Sequence, residues 1–112
     1  MLVEIQCPCG RVIRSAKEYK LVFLRRGALE IDILCPNEFC HLKELGYIQF
    51  DVSSDGEIKF KRARFYSPFV TWNASRLGFD VASRVLKEHI KVIVREIVDW
   101  SKIKNEMLRR GD

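Results

Sequence analysis

From the start of the chain to about Phe65, apolar and polar positions alternate in short runs. From Asp80 onward, apolar residues recur every three or four positions. The first period is that of a strand with one buried face and the second that of a helix, so the chain reads as a β part followed by an α part. Leu2 to Gln6 predicts a short first strand. Residues Tyr19 to Leu24 are β-prone, Arg25-Arg26-Gly27 reads as a turn, and Ala28 to Leu34 sets Leu29, Ile31 and Ile33 against Glu30 and Asp32, which predicts a hairpin. A second hairpin is expected from Leu45 to Val52 and Glu57 to Phe65. Its turn is Ser53-Ser54-Asp55-Gly56, where glycine accepts the positive φ of a tight reversal.

In the α part, Leu86, Ile90, Ile93, Ile97, Trp100 and Met107 fall on one stripe that only Lys104 interrupts. They predict one long amphipathic helix over 80–110. Asp80 is its expected N-cap and Gly111 its stop, with Arg109 and Arg110 suited to the negative end of the helix dipole. Such a helix is roughly 45 Å long at 1.5 Å per residue, more than a small sheet covers. Its stripe has two readings: it covers the host sheet, or its far end, with Ile97, Trp100 and Met107 as anchors, docks on a protein partner or a second copy of the chain, giving a homodimer. Residues 67–79 form an aromatic-rich connector bracketed by Pro68 and Gly78, with a short helical turn expected near its end.

Composition narrows the class. With 112 residues, 47% hydrophobic and 31% charged, the chain can pack one core, which excludes a disordered tail or a fibrous repeat. Its apolar runs, such as Leu21–Leu24, fall far short of the roughly 20 residues that span a bilayer, so no membrane partner is expected. Glu4 and Cys7 arrive too early for a secretory leader, so a cytoplasmic location is expected. Abundant Lys, Arg and Glu against few Gln and Asn lean toward a thermophilic source.

Four cysteines, Cys7, Cys9, Cys35 and Cys40, form two close pairs, C-x-C and C-x4-C. Two tight turns that each offer two thiolates can converge on one tetrahedral ion, so a structural Zn2+ site is expected. Pro8 and Gly10 shape the first turn, and Pro36 and Asn37 bend the second. Two disulfides, an iron site, or a ligand set in which His41 replaces a thiolate are the alternatives. Cys-Pro-Cys-Gly at 7–10 and Cys-Pro at 35–36 resemble the knuckles of zinc ribbons, across roughly residues 1–50. The resemblance, with its one-residue and four-residue spacings, implies a zinc-ribbon-like antiparallel sheet. The expected fold is therefore a single α+β domain over 1–112, with a zinc-bound β part at 1–66, the connector, and the long C-terminal helix.

The net charge of +5 favours polyanions modestly and is not concentrated in a tail. The densest basic segment is Lys59-Phe60-Lys61-Arg62-Ala63-Arg64-Phe65-Tyr66. On a regular strand Lys59 and Lys61 share one face and Phe60 and Arg62 the other, so an edge can hold phosphates while Phe60, Phe65 or Tyr66 stacks on bases. The plainer reading is a half-buried strand with a solvated basic side. Arg11, Arg14, Arg25 and Arg26 extend the patch if the turns fold toward it. No nucleophile elbow, phosphate loop or zinc-protease motif occurs, His89 reads as a surface or interface residue, and four thiolates leave a metal no open position. The expected function is a non-enzymatic accessory protein that binds nucleic acid, with a protein-interaction subunit as the alternative.

Overall fold

The computed structural model describes residues 4–23 and 29–110, without the side chains of 107–110. The elements are β1 (Ile5–Gln6), β2 (Val12–Ile13), a 3-10 turn (Ala16–Glu18), β3 (Lys20–Phe23), β4 (Glu30–Leu34), β5 (Glu44–Val52), β6 (Ile58–Phe65), α1 (Ser67–Leu77), α2 (Phe79–Val92), a π-helical segment (Ile93–Ile97) and α3 (Trp100–Arg110). This is an α+β fold, as the two periods predict. Strands β3 to β6 form an antiparallel meander in chain order, and β1 and β2 form a separate ribbon. The 25–27 turn lies outside the described residues. The 53–56 turn is present, with Gly56 at φ +87° and the Ser53 N–H donating to Glu57 O at 2.8 Å.

Alternation decides which way each strand residue faces. Ile31, Ile33, Ile48 and Phe50 are buried on one face, in the same cluster as Phe65, Phe69, Leu86, Ile93, Val98 and Ile103 from β6 and the helical part. The opposite face carries, in one row across the four strands, Val22, Asp32, Tyr47 and Arg64, and in the next row Glu30, Gln49 and Arg62. Strand β6 departs from regular alternation. Phe50 pairs with Phe60 while Gln49 pairs with Arg62, so Lys61 is an extra, bulged residue. One added residue inverts the facing of everything beyond it. Lys59, Arg62 and Arg64 therefore share the open face, where strict alternation pairs Lys59 with Lys61 and Arg62 with Phe60.

Gly46 sits opposite Phe65, and a Cβ there would lie 2.5 Å from Arg64 O and 3.0 Å from Phe65 Cα. Only a residue without a side chain lets β6 approach at this point.

The expected connector is itself a helix. Pro68 occupies the first turn of α1, where a missing N–H costs nothing and its fixed φ suits the helix. The helix stops at Gly78, whose φ of +89° lets its N–H close on Ala74 O at 2.8 Å. Helix α2 starts at the next residue, with Asp80 in its first turn rather than at the cap.

The single helix expected over 80–110 is divided. At Ile93–Ile97 the ladder widens to π geometry, the Val98 N–H reaches back to Ile93 O at 2.9 Å, and Val98 turns extended at ψ 124°. Asp99 then starts α3, its carboxylate accepting from the Lys102 N–H at 3.0 Å. The break turns the stripe onto the sheet. Trp100 meets Phe50 edge to face at 5.8 Å and donates its indole N–H to Val94 O at 2.9 Å, and Ile103 is buried. Trp100 is thereby half-buried and Ile103 buried within the chain.

His89 is in the core and not on the surface. It follows Ala82 and Leu86 on the buried stripe of α2, and its Nδ1 lies 2.7 Å from the Tyr19 hydroxyl. Tyr19 in turn packs on Phe65 and Phe69. Burial pushes the Tyr19 phenol up and pulls the His89 imidazole down, the latter against the opposing pull of Glu18 and Glu88. A neutral phenol donating to a neutral imidazole fits both directions.

Candidate metal centre and basic strand

The first cysteine turn follows β1. Cys7 N–H donates to Arg11 O at 2.9 Å, Gly10 N–H closes on Cys7 O at 2.8 Å, and Gly10 takes φ +101° so that the chain can return into β2. The second turn follows β4. Cys40 N–H donates to Asn37 O at 3.0 Å, Cys35 N–H to Lys43 O at 2.8 Å, and Lys43 sits at φ +54° as the chain enters β5.

The two turns bring all four sulfurs within 4.8 Å of one another. Contacts run between turns: Cys7 Sγ to Cys40 Sγ is 3.5 Å and Cys9 Sγ to Cys35 Sγ is 3.8 Å. A tetrahedral tetrathiolate with metal–sulfur bonds of about 2.3 Å has edges of roughly 3.8 Å, so the cluster can hold one metal ion. His41 is exposed and is not in the cluster.

Donors surround the sulfurs as they would surround thiolates. Asn37 N–H and Lys43 N–H point at Cys35 Sγ and Cys40 Sγ, each at 3.4 Å, and the Asn37 side-chain amide reaches Cys9 Sγ at 3.6 Å. Burial raises the thiol of Cys7 and pushes that of Cys35 up to about 11. Burial also raises Cys9, but hydrogen bonds from the Arg11 N–H, the Asn37 amide and the Cys7 and Cys35 thiols together outweigh it and bring that exposed thiol down to about 7. Asn37 thus serves the site through its amide as well as through its turn. The sequence signals the turn alone.

The site is clasped to the helical part by Asn73. This fully buried residue accepts the Gln6 N–H at 2.9 Å and donates to Gln6 O and Phe69 O, each at 2.9 Å. Trp72 adds its indole N–H to Gln6 Oε1 at 3.3 Å. Strand β1, which leads into Cys7, is therefore held by α1 through a two-way amide contact. No motif marks Asn73; only its place one helical turn after Phe69 aims it inward.

The predicted basic residues are partly assembled. Lys59, Lys61, Arg62 and Arg64 are exposed, and no ion pair among the described residues holds them. Phe60 is 51% exposed, whereas Phe65 is buried against Tyr19 and Phe69 at centroid distances of 5.5 and 5.0 Å. Phe65 is therefore a core ring and cannot stack on a base, because the bulge places it on the covered face. Tyr66 lies against Tyr47 at 5.5 Å. Arg11 and Arg14 pair with Glu18 and Glu4, and Arg25 and Arg26 lie outside the described residues. Ile97 and Trp100 are half-buried against the chain's own core, and the Met107 side chain lies outside the described residues.

Comparison with protein-family models, with curated proteins and with solved structures finds no match to this chain. No described helix is long and apolar enough to cross a membrane.

Proposed function

We propose that the chain is a non-enzymatic accessory protein whose four cysteines hold a structural Zn2+ and whose β6 edge binds the phosphates of a nucleic acid. Zinc is the preferred ion because four thiolates in tetrahedral array, without an open position, match its structural sites. Bound there, it would cross-link the β1–β2 and β4–β5 turns, between which the only side-chain amide contact among the described residues is that of Asn37 on Cys9 Sγ. Cys7, Cys9, Cys35 and Cys40 are the ligands of this reading.

One observation carries the binding half: Lys59, Arg62 and Arg64 stand in line on the open face of an edge strand. Lys59 faces Asp51 across the ladder, but Arg62 and Arg64 face the neutral Gln49 and Tyr47, so their charge is directed outward. Cations two residues apart on a strand make a rail for phosphates.

The test is anisotropy of labelled DNA and RNA, single- and double-stranded, across a salt series. Each phosphate contact contributes roughly 0.7–0.9 to the slope of log affinity against log salt, so Arg62→Ala with Arg64→Ala should flatten it by about 1.5. Absence of salt-dependent binding at low ionic strength would remove the reading.

A further inference from the structure

We infer that the open sheet face takes a single strand of nucleic acid rather than a duplex, with the backbone on β6 and a base stacked on the Tyr47–Tyr66 pair. The inference rests on the phosphate-binding reading above and adds the form of the ligand and a residue, Tyr47, that the sequence pattern does not single out. Three observations carry it.

The first is the aromatic pair. Tyr47 lies directly across the ladder from Arg64, and its ring meets that of Tyr66 at 5.5 Å and 37°. Tyr66 is 37% exposed, so part of this platform is open beside the rail. A duplex keeps its base faces stacked inside and gains nothing from such rings, whereas an unpaired strand can lay a base on them.

The second is spacing. Arg62 and Arg64, like Gln49 and Tyr47 opposite them, are two residues apart, roughly 6.7 Å along the strands. That is close to the through-space separation of successive phosphates on one strand, so the two guanidinium groups can take neighbouring phosphates and set the backbone along β6.

The third is the charge gradient across the face. Beyond the rail, Gln49 and Glu30 share a row with Arg62, and with Asp51 and Lys61 they border a shallow depression of about 250 Å³. Carboxylates there repel phosphates, which confines the backbone to β6, and they accept hydrogen bonds from base amino groups. A phosphate site on β6 is therefore followed by the Tyr47 ring on β5 in the Arg64 row, and by Gln49 on β5 and Glu30 on β4 in the Arg62 row, a width of about 10 Å at 4.8 Å per strand.

The experiment uses the full metal-loaded chain and labelled mixed-sequence oligonucleotides of equal length as single strands and as a duplex. It compares wild type with Tyr47→Leu, Tyr47→Phe and the Arg62→Ala, Arg64→Ala double variant, with thermal melts to establish that each is folded. The expected result is single-strand affinity at least tenfold above duplex affinity. Tyr47→Leu should lower it roughly tenfold with the salt slope unchanged, and Tyr47→Phe should restore it. Equal affinity for duplex, or indifference to Tyr47→Leu, with the double variant still flattening the slope, would overturn this inference and leave the phosphate rail standing. No binding at low salt would overturn both, as would a chain that sediments as a dimer dissolved by the double variant, since the face would then be covered by a second copy.

Discussion

Replacing Asn73 with Leu keeps the branched shape and heavy-atom count of the side chain and removes the clasp between α1 and β1. The Gln6 N–H and Gln6 carbonyl each lose a 2.9 Å partner, and Arg76 loses an acceptor at 3.2 Å. A buried group left without a partner costs about 1–3 kcal/mol, and half-buried Gln6 recovers some of this from water, so the sum is about 2–4 kcal/mol. At about 4 °C per kcal/mol for a domain of this size, the melting point should fall by roughly 8–16 °C. Urea denaturation of the metal-loaded protein, followed by the fluorescence of Trp72 and Trp100, should show a lower midpoint with the m-value unchanged. Since β1 leads into Cys7, metal affinity measured by chelator competition should fall with it. Asn73→Asp, which sets a charged oxygen against the Gln6 and Phe69 carbonyls, should cost at least as much. A loss below about 0.5 kcal/mol for both variants would refute the reasoning, because the amide contact would then hold nothing.

Gly46→Ala should destabilise by about 1–3 kcal/mol in the same assay, since the new methyl meets the β6 backbone and not a flexible side chain. Trp100→Ala should cost roughly 2–4 kcal/mol by emptying the contact with Phe50 and freeing Val94 O, while Trp100→Phe should recover most of it. His89 has a folded pKa below its unfolded value near 6.5, so the unfolded chain binds more protons. Its contribution is complete above about pH 6.5 and is lost as pH falls through the folded value. His89→Gln should therefore show a shallower stability loss than wild type in that window, and parallel curves would exclude the buried neutral imidazole.

Much of this architecture is written in local patterns. The two hairpins follow from alternation around Ile31, Ile33, Ile48 and Phe50, and the cysteine cluster follows from turns at Pro8, Gly10 and Pro36. What the patterns miss are places where tertiary packing sets the outcome. Nothing in Lys59–Tyr66 marks Lys61 as a bulge, because an extra residue is defined only against its partner strand. That single residue moves Phe65 inward and brings Lys59 onto the face of Arg62 and Arg64. The helical stripe is real in the sequence, but so is Asp99, a good N-cap inside it, and the break goes with the contact of Trp100 on Phe50 and the burial of Ile103. His89 lies on the same buried stripe as Leu86 and was legible by period. Its polarity hides the position until Tyr19 supplies the partner.

The central claim, one tetrahedral metal ion held by four thiolates, is tested most directly by titrating Co2+ into the reduced full chain and recording its absorption. The account predicts one equivalent bound, tetrahedral ligand-field bands, and sulfur-to-cobalt charge transfer that drops by about a quarter for each Cys→Ser change at 7, 9, 35 and 40. Zn2+ should displace the cobalt. An octahedral spectrum, or a chain that takes up no metal and instead shows Cys7–Cys40 and Cys9–Cys35 disulfides by mass, would contradict it.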